Sequence, residues 1–259
     1  MSLLSTEKLR RQFGGVVAVA DVDFAAEEGA ITGLIGPNGA GKTTLFNNVT
    51  GLDFPTSGRV NFQGREITGL PANRITRLGI ARTFQNIRLF KEMTVLQNVM
   101  VGRHFKQNAR GIMRNRTMQA AVSVLQLNRT EAGITAESMK WLEFLGLTEF
   151  RDDLARNLPY GRQRELEIAR ALATEPKLLF LDEPAAGMNP AETEELMRII
   201  RRIRDLGITI VLIEHDMKLV MNICERITVL NYGQKIAEGT PTEIQGNEKV
   251  IEAYLGKEE

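Results

Sequence analysis

Apolar residues open the chain as short, compact runs. Val16 to Phe24 alternates apolar with polar positions, Ile31 to Ile35 is continuously apolar and runs into Gly36, and Arg59 to Phe62 follows a turn at Pro55 and Gly58. Alternation predicts a half-buried strand, and a short bounded apolar run predicts a fully buried one. After Gln85 the period lengthens. From Thr94 to Leu147 the spacing is helical and rich in Met and Gln, with few β-branched runs. Strand-like runs return at Leu178 to Leu181, Ile208 to Ile213 and Ile227 to Leu230. A helix is predicted between the first two of these. Asn189 is its N-cap, Pro190 its first residue, and Glu192 completes a capping box. Leu196, Ile199, Ile200, Ile203 and Leu206 form its apolar face, Glu194 and Arg198 an i,i+4 pair, and Gly207 its end. Strand-helix-strand alternation implies right-handed crossovers and a mostly parallel sheet. The expectation is therefore one α/β domain over 1–259. Its core is formed by 1–85 and 158–259, and a helical lobe occupies 86–157.

Composition adds boundaries. A chain of 259 residues, 43% hydrophobic and 25% charged, suits one globular domain with a sub-lobe. Lys plus Arg (33) nearly cancels Asp plus Glu (32), and the net charge of +1 argues against nucleic acid as a partner. The single cysteine, Cys224, excludes an internal disulfide and falls in an apolar pattern as a small core residue. The start, MSLLSTEKLRRQF, lacks the apolar centre of a signal peptide. No apolar run nears the roughly 18 residues of a membrane span, so a membrane role must run through a partner. The stretch from Thr94 to Asn128 holds Arg103, Lys106, Arg110, Arg114 and Arg116 and no acid. It reads as a solvated face or as a surface near lipid headgroups, each cation then adding about 1 kcal/mol of attraction.

The chemistry begins at Gly36-Pro37-Asn38-Gly39-Ala40-Gly41-Lys42-Thr43-Thr44. The spacing G-x-x-x-x-G-K-T, after a strand and before a helix, is that of a phosphate loop. Its glycines let backbone N–H groups converge on phosphate, and the helix N-terminus adds its positive end. Lys42 reaches the β- and γ-phosphates, and the Thr43 hydroxyl suits Mg²⁺. Asp182 and Glu183 follow four apolar strand residues. Acids at a buried strand end require a cation or a partner. Asp182 is read as holding Mg²⁺ through water, and Glu183 as orienting the attacking water. Gln85 lies where core meets lobe and is a candidate contact for Mg²⁺ or that water. His215 follows the third of the buried strands, where an imidazole can donate to a γ-phosphate. His104 reads as structural. Phe13, placed before the first strand, reads as a ring stacked on adenine or as an ordinary core residue. Arg162 and Arg164 read equally as surface ion-pair partners or phosphate contacts.

Taken in order, these motifs resemble the ATP-binding subunit of ABC transporters over nearly the whole chain. Gly36 to Thr43 resembles Walker A, Gln85 the Q-loop, Leu158 to Gln163 the signature, and Leu178 to Glu183 Walker B with its catalytic glutamate. Ala186-Gly-Met-Asn189 resembles the D-loop, and His215 the switch histidine. Phe13-Gly-Gly, Ala81-Arg-Thr-Phe-Gln-Asn-Ile-Arg-Leu-Phe90, Pro184-Ala-Ala-Gly, Ile213-Glu-His-Asp-Met217 and Ala253-Tyr-Leu-Gly256 are similar to the larger ATPase subunit of branched-chain amino-acid uptake systems. Urea and amide importers are similar too. A non-transport ABC ATPase would usually carry two nucleotide domains or a long insertion.

The resemblance implies a phosphate-loop ATPase fold with an antiparallel β region near the N-terminus, and ATP with Mg²⁺ as ligands. It implies a head-to-tail pair with a second related ATPase, in which Tyr160 and Gly161 of the signature meet the nucleotide of the other chain. Two integral-membrane permeases and an extracytoplasmic amino-acid-binding protein complete the assembly, with this chain peripheral on the cytoplasmic face of the inner membrane. Two departures stand out. The signature reads Leu158-Pro-Tyr-Gly-Arg-Gln163, without the usual serine hydroxyl, and the D-loop ends in Asn189 where Asp is usual. They imply an asymmetric pair with two unequal hydrolysis sites.

Overall fold

The structure, a computed structural model, describes residues 2–111 and 123–255, and the side chains of 2–103 and 131–254. In chain order the elements begin with strands β1 (Ser2–Phe13), β2 (Val16–Val22), β3 (Ala25–Glu27) and β4 (Ile31–Ile35). They continue with helix α1 (Lys42–Val49), β5 (Ser57–Phe62), β6 (Arg65–Glu66), α2 (Ala72–Leu78) and β7 (Ile80–Arg82). Helices α3 (Val95–Gly111), α4 (Ser123–Phe144) and α5 (Tyr160–Leu172) follow. The rest is β8 (Leu178–Asp182), α6 (Pro190–Asp205), β9 (Thr209–Ile213), α7 (Met217–Ile223), β10 (Arg226–Asn231), β11 (Gln234–Gly239), α8 (Pro241–Gln245) and α9 (Glu248–Leu255). Two compact units result, Met1–Gln85 with Lys177–Glu259, and Asn86–Pro176.

The first unit holds two sheets. A six-stranded sheet runs β11-β10-β4-β9-β8-β7, parallel except for the terminal β10-β11 hairpin. The parallel strands β4, β8 and β9 are buried along their whole length, as strands covered on both faces must be. The second sheet runs β2-β1-β5-β6 with β3 also on β1, and its pairings are antiparallel. Leu4, Leu9, Val60 and Phe62 of this sheet share one core with Leu34, Phe180, Val211 and Ile213 of the other and with Leu45 and Phe46 of α1. The rings of Phe46 and Phe180 meet edge to face at 4.7 Å.

Strand β1 has no counterpart in the sequence reading. Its burial breaks period at Glu7 and Lys8, where register slips between Leu9 and Arg11 and Lys8 takes φ 45°. A bulge destroys the alternation by which a strand is read. Phe13 is consequently the last residue of β1 and not a residue ahead of the first strand.

Helix α6 has the expected capping box, with Asn189 Oδ1 accepting from Ala191 and Glu192 N–H at 2.9 and 3.0 Å. Two details differ. Leu206 is exposed beyond the last turn, and Arg198 pairs with Glu195 at 2.8 Å in place of Glu194. The i,i+3 neighbour lies on the same helix face as the i,i+4 one and can take the guanidinium instead.

The second unit is helical and continues beyond the expected limit of 157 to Pro176, so α5 belongs to it. A Cβ on Gly102 of α3 would lie 2.3 Å from the Arg170 carbonyl of α5, so the two helices approach as only glycine permits. Asn98 is fully buried and bonds Phe90 through both its amide and its carbonyl oxygen. Arg103, one of the cations read as a solvated face or a headgroup surface, pairs with Glu175 of the same unit, so its guanidinium already has an acidic partner within the chain. The Arg114 and Arg116 parts of that expectation, and the side chains of His104, Lys106 and Arg110, lie outside the described residues. Among the described residues no helix is long and apolar enough to cross a membrane.

Candidate active site

Strand β4 ends at Gly36, and the backbone turns there with φ 150°. A Cβ at Gly36 would lie 2.1 Å from the Leu230 carbonyl, and one at Gly41 (φ 97°) 2.3 Å from that of Ala18. Any side chain at either position would push the loop off the sheet. Gly233, in the β10-β11 turn, donates its N–H to the Ala40 carbonyl at 3.0 Å and fixes the outer side of the loop. Pro37 is half-buried, and Asn38 and Gly39 are exposed. Lys42 is buried, with Nζ donating to the Gly36 and Pro37 carbonyls at 2.7 and 2.9 Å. Burial lowers the pKa of its ammonium, while Glu183 and Asp182 oppose the shift. Gly41 caps α1 without a side-chain acceptor, so the first-turn N–H groups and the positive helix end face outward beside exposed Thr43 and half-buried Thr44.

Both carboxylates stand at the end of one parallel strand, β8, beside the end of β9. Asp182 pairs in register with Ile213, and Glu183 N–H donates to the Ile213 carbonyl at 2.9 Å. Glu183 then turns with φ 49°, a left-handed conformation that costs a non-glycine residue roughly 1 kcal/mol. That turn brings both carboxylate oxygens to partners. Oε1 lies 2.7 Å from His215 Nε2, and Oε2 accepts from Gln85 Nε2 at 2.8 Å. Glu183 is 14% exposed and His215 42%, so the pair sits at a wet rim. Gln85, His215, Asp182 and Glu183, scattered over 131 positions of sequence, thus form one cluster.

Two residues of this cluster escaped the sequence reading. Arg82, at the end of β7, donates to Asp182 Oδ2 at 2.6 Å, with side chains only 7% and 3% exposed. Glu214 is buried and accepts from the N–H groups of Ala185 (2.7 Å) and His215 (3.0 Å). It ties the loop after Glu183 to the loop that carries His215. Burial raises its pKa above the ordinary carboxylate value against the pull of those N–H groups. Both residues sit in the same short peptides as Gln85 and His215. A charged residue abutting a buried strand was the available signal, since such a charge requires a partner.

Other candidates stand apart from the cluster. Phe13 is 47% exposed, which excludes the core reading, and the Arg11 guanidinium lies 4.2 Å over its ring. Arg11 is itself held by Asp53 through two hydrogen bonds of 2.7 and 2.8 Å. In the second unit Tyr160 is exposed and Gly161 buried at the start of α5, whose N-cap Pro159 offers no side-chain acceptor. Arg164 is buried beside Glu167 and donates to the Tyr160 hydroxyl at 2.9 Å, which excludes a surface role. Arg162 pairs with Glu165 at 2.7 Å.

A glycine loop that folds around a lysine, with two acids delivered at the end of a parallel strand of the same sheet, defines a phosphate-loop ATPase. The family model described as ABC transporter matches residues 19–186, and the chain belongs to that family, whose ATP-binding subunits hydrolyse ATP. A second family model, described as Branched-chain amino acid ATP-binding cassette transporter, matches residues 234–259. The chain is 46% identical to the high-affinity branched-chain amino acid transport ATP-binding protein BraF of Pseudomonas aeruginosa, over 98% of both chains. It is 47% identical to the protein of the same description, LivG, of Salmonella typhimurium, again over 98% of both. A crystal structure of the ADP conformation of an ATP-binding cassette of an ABC transporter superposes with a TM-score of 0.83 at 33% identity, covering 99% of this chain and 100% of that one.

Proposed function

We propose that this chain is the ATP-hydrolysing subunit of an importer for branched-chain amino acids. The identity to BraF and LivG over nearly full length supports that cargo. The carrying observation is the two-sided hold on Glu183 by Gln85 and His215. Glu183 acts as the general base that orients and polarises the attacking water. His215 and Gln85 fix its carboxylate and meet the γ-phosphate and the water, and Lys42 binds the β- and γ-phosphates. Phosphoryl transfer needs such positioning and charge compensation and little covalent chemistry. The exposed ring of Phe13 stacks on adenine.

Thr43, Gln85 and Asp182 would hold Mg²⁺. Among the described residues no group of three or more His, Cys, Asp or Glu forms a metal cage. One carboxylate, one hydroxyl and one amide oxygen are hard donors that suit a cation sharing its coordination with nucleotide phosphates. Bound there, it would neutralise charge on those phosphates. The chain pairs head to tail with a second ATPase, and Tyr160 and Gly161 face the nucleotide of that partner. The missing signature hydroxyl at Pro159 makes the two hydrolysis sites unequal. The pair docks on two permeases at the cytoplasmic face of the inner membrane, supplied by an extracytoplasmic binding protein.

The test is vesicles containing the assembled transporter, loaded with ATP and assayed for leucine uptake. Glu183→Gln should bind ATP normally while lowering hydrolysis about 10³-fold, the scale of a general base. Undiminished hydrolysis would remove Glu183 from its role. Uptake of urea or an amide in place of leucine would replace the cargo.

A further inference from the structure

We propose that Arg82 is a positioning residue for the metal-binding carboxylate, holding one oxygen of Asp182 so that the other is aimed at the cation. The inference rests on the assignment of Asp182 to Mg²⁺ made above. Its own basis is geometric. The Arg82 guanidinium joins three parts of the nucleotide unit. One amino group donates to Asp182 Oδ2 at 2.6 Å. The other donates to Asn47 Oδ1 at 2.7 Å and Thr50 Oγ1 at 3.1 Å, in the last turn of the helix that begins at Lys42. The plane is flanked by the rings of Phe46 at 5.6 Å and Phe84 at 5.3 Å. Thr50 is held in turn, its hydroxyl donating to the Phe46 carbonyl at 2.6 Å.

This arrangement makes Arg82 a fixed strut. Its planar fork satisfies acceptors in two directions at once, which the single ammonium of a lysine cannot reproduce. Asp182 needs such a partner. It is buried, it follows a fully buried strand, and it neighbours a second carboxylate on Glu183. A buried carboxylate there needs a hydrogen-bonded cation as its partner, and that partner also fixes its rotamer. Arg82 does this from within the chain, so the carboxylate is already aimed when a metal-nucleotide complex arrives.

The same short segment carries a second hold. Arg82 reaches Asp182, and three residues on, Gln85 reaches Glu183. Because β7 and β8 are parallel and in register, with Arg82 opposite Phe180, one strand end addresses both carboxylates of the other. The Arg82 side chain is the buried root and Gln85 the exposed tip. The strut therefore also sets where the Gln85 segment leaves the sheet.

Partners that orient a metal ligand typically account for 10- to 100-fold in metal affinity. The test uses Arg82→Lys, which keeps a positive charge in the site. Binding of a fluorescent ATP analogue is titrated with Mg²⁺ in the purified protein, and binding is repeated in EDTA. The expected result is a rise of about tenfold or more in the Mg²⁺ concentration for half-saturation, with EDTA binding unchanged. Arg82→Met with Asp182→Asn serves as a folded control, since it removes both charges together. An unchanged Mg²⁺ midpoint in Arg82→Lys would overturn the proposal and leave Arg82 a packing residue. A tighter midpoint would overturn it too, making Arg82 a competitor of the cation. Asp182→Asn alone separates the two claims. If it leaves the midpoint unmoved, the metal assignment itself fails. If it shifts the midpoint while Arg82→Lys does not, only the strut fails.

Discussion

At the ends of β7, β8 and β9 the charged groups find partners within the chain, whereas the first-turn N–H groups of α5 have no side-chain cap. Asp182 is matched by Arg82, Glu183 by Gln85 and His215, and Glu214 by three backbone N–H groups. Helix α5 begins at a proline that supplies no capping oxygen, and Tyr160 stands exposed beside it. Acids at buried strand ends are tolerated only when paired within the fold. Uncapped N–H groups at an exposed helix start carry no such penalty, because water or an incoming anion satisfies them. The first region is thus preorganised by the chain itself, whereas the second would be completed by the partner's nucleotide in the head-to-tail pair proposed above.

Breaking the closed region should cost most. Arg82→Ala leaves Asp182 buried without its cation, and the nucleotide-free protein should lose about 3–5 kcal/mol in urea unfolding. A loss under about 1 kcal/mol would mean that water replaces the guanidinium easily. The open region should respond the other way. Pro159→Ser restores a hydroxyl to the signature, and a hydrogen bond to a charged phosphate oxygen contributes roughly 1.5 kcal/mol. Turnover of the assembled transporter at limiting ATP should rise by up to about tenfold. No rise would place the asymmetry of the pair elsewhere.

Asn189→Ala sharpens the contrast at a lower level. Asn189 occupies the position where the family usually has Asp, and it caps α6 through two N–H groups. Asn and Asp cap about equally well, so Asn in place of Asp preserves the helix start, whereas Ala does not. Its loss should cost about 1 kcal/mol of stability, read by thermal unfolding. The smallest effect concerns pH. Burial raises the Glu214 pKa in the fold, so its contribution is full below the unfolded carboxylate value and is lost as pH rises through the folded one. The melting temperature of Glu214→Gln, compared with the parent, should therefore improve from about pH 4 to about pH 7. A constant difference would mean that the three N–H groups balance burial, and a decline that they outweigh it.

Most of the phosphate site was legible because it is local. Gly36 to Thr43 is a contiguous peptide whose glycines answer to backbone contacts, and the α6 cap is a four-residue signal. Phe13 was half legible, since its exposure follows from a strand hidden by a bulge. The lobe boundary was misplaced because α5 has the apolar pattern of any core helix, and only its packing against α3 assigns it to the second unit. Arg82 and Glu214 were passed over beside residues that were recognised. Burial of a charge is invisible in sequence until the partner is known, and the partners lie 100 and 29 positions away.

The sequence by itself determined the class of enzyme, the buried core strands β4, β8, β9 and β10 with the capped helix α6, and the residue types available to nucleotide. It did so because each of these is set by short-range backbone demands or by hydrophobic period. Only the tertiary structure decided which side chains hold which. The parallel register of β7, β8 and β9 brings Arg82, Gln85, Asp182, Glu183, Glu214 and His215 to one sheet edge. Such pairing across a sheet is fixed by the packing of whole strands, and no local pattern encodes it.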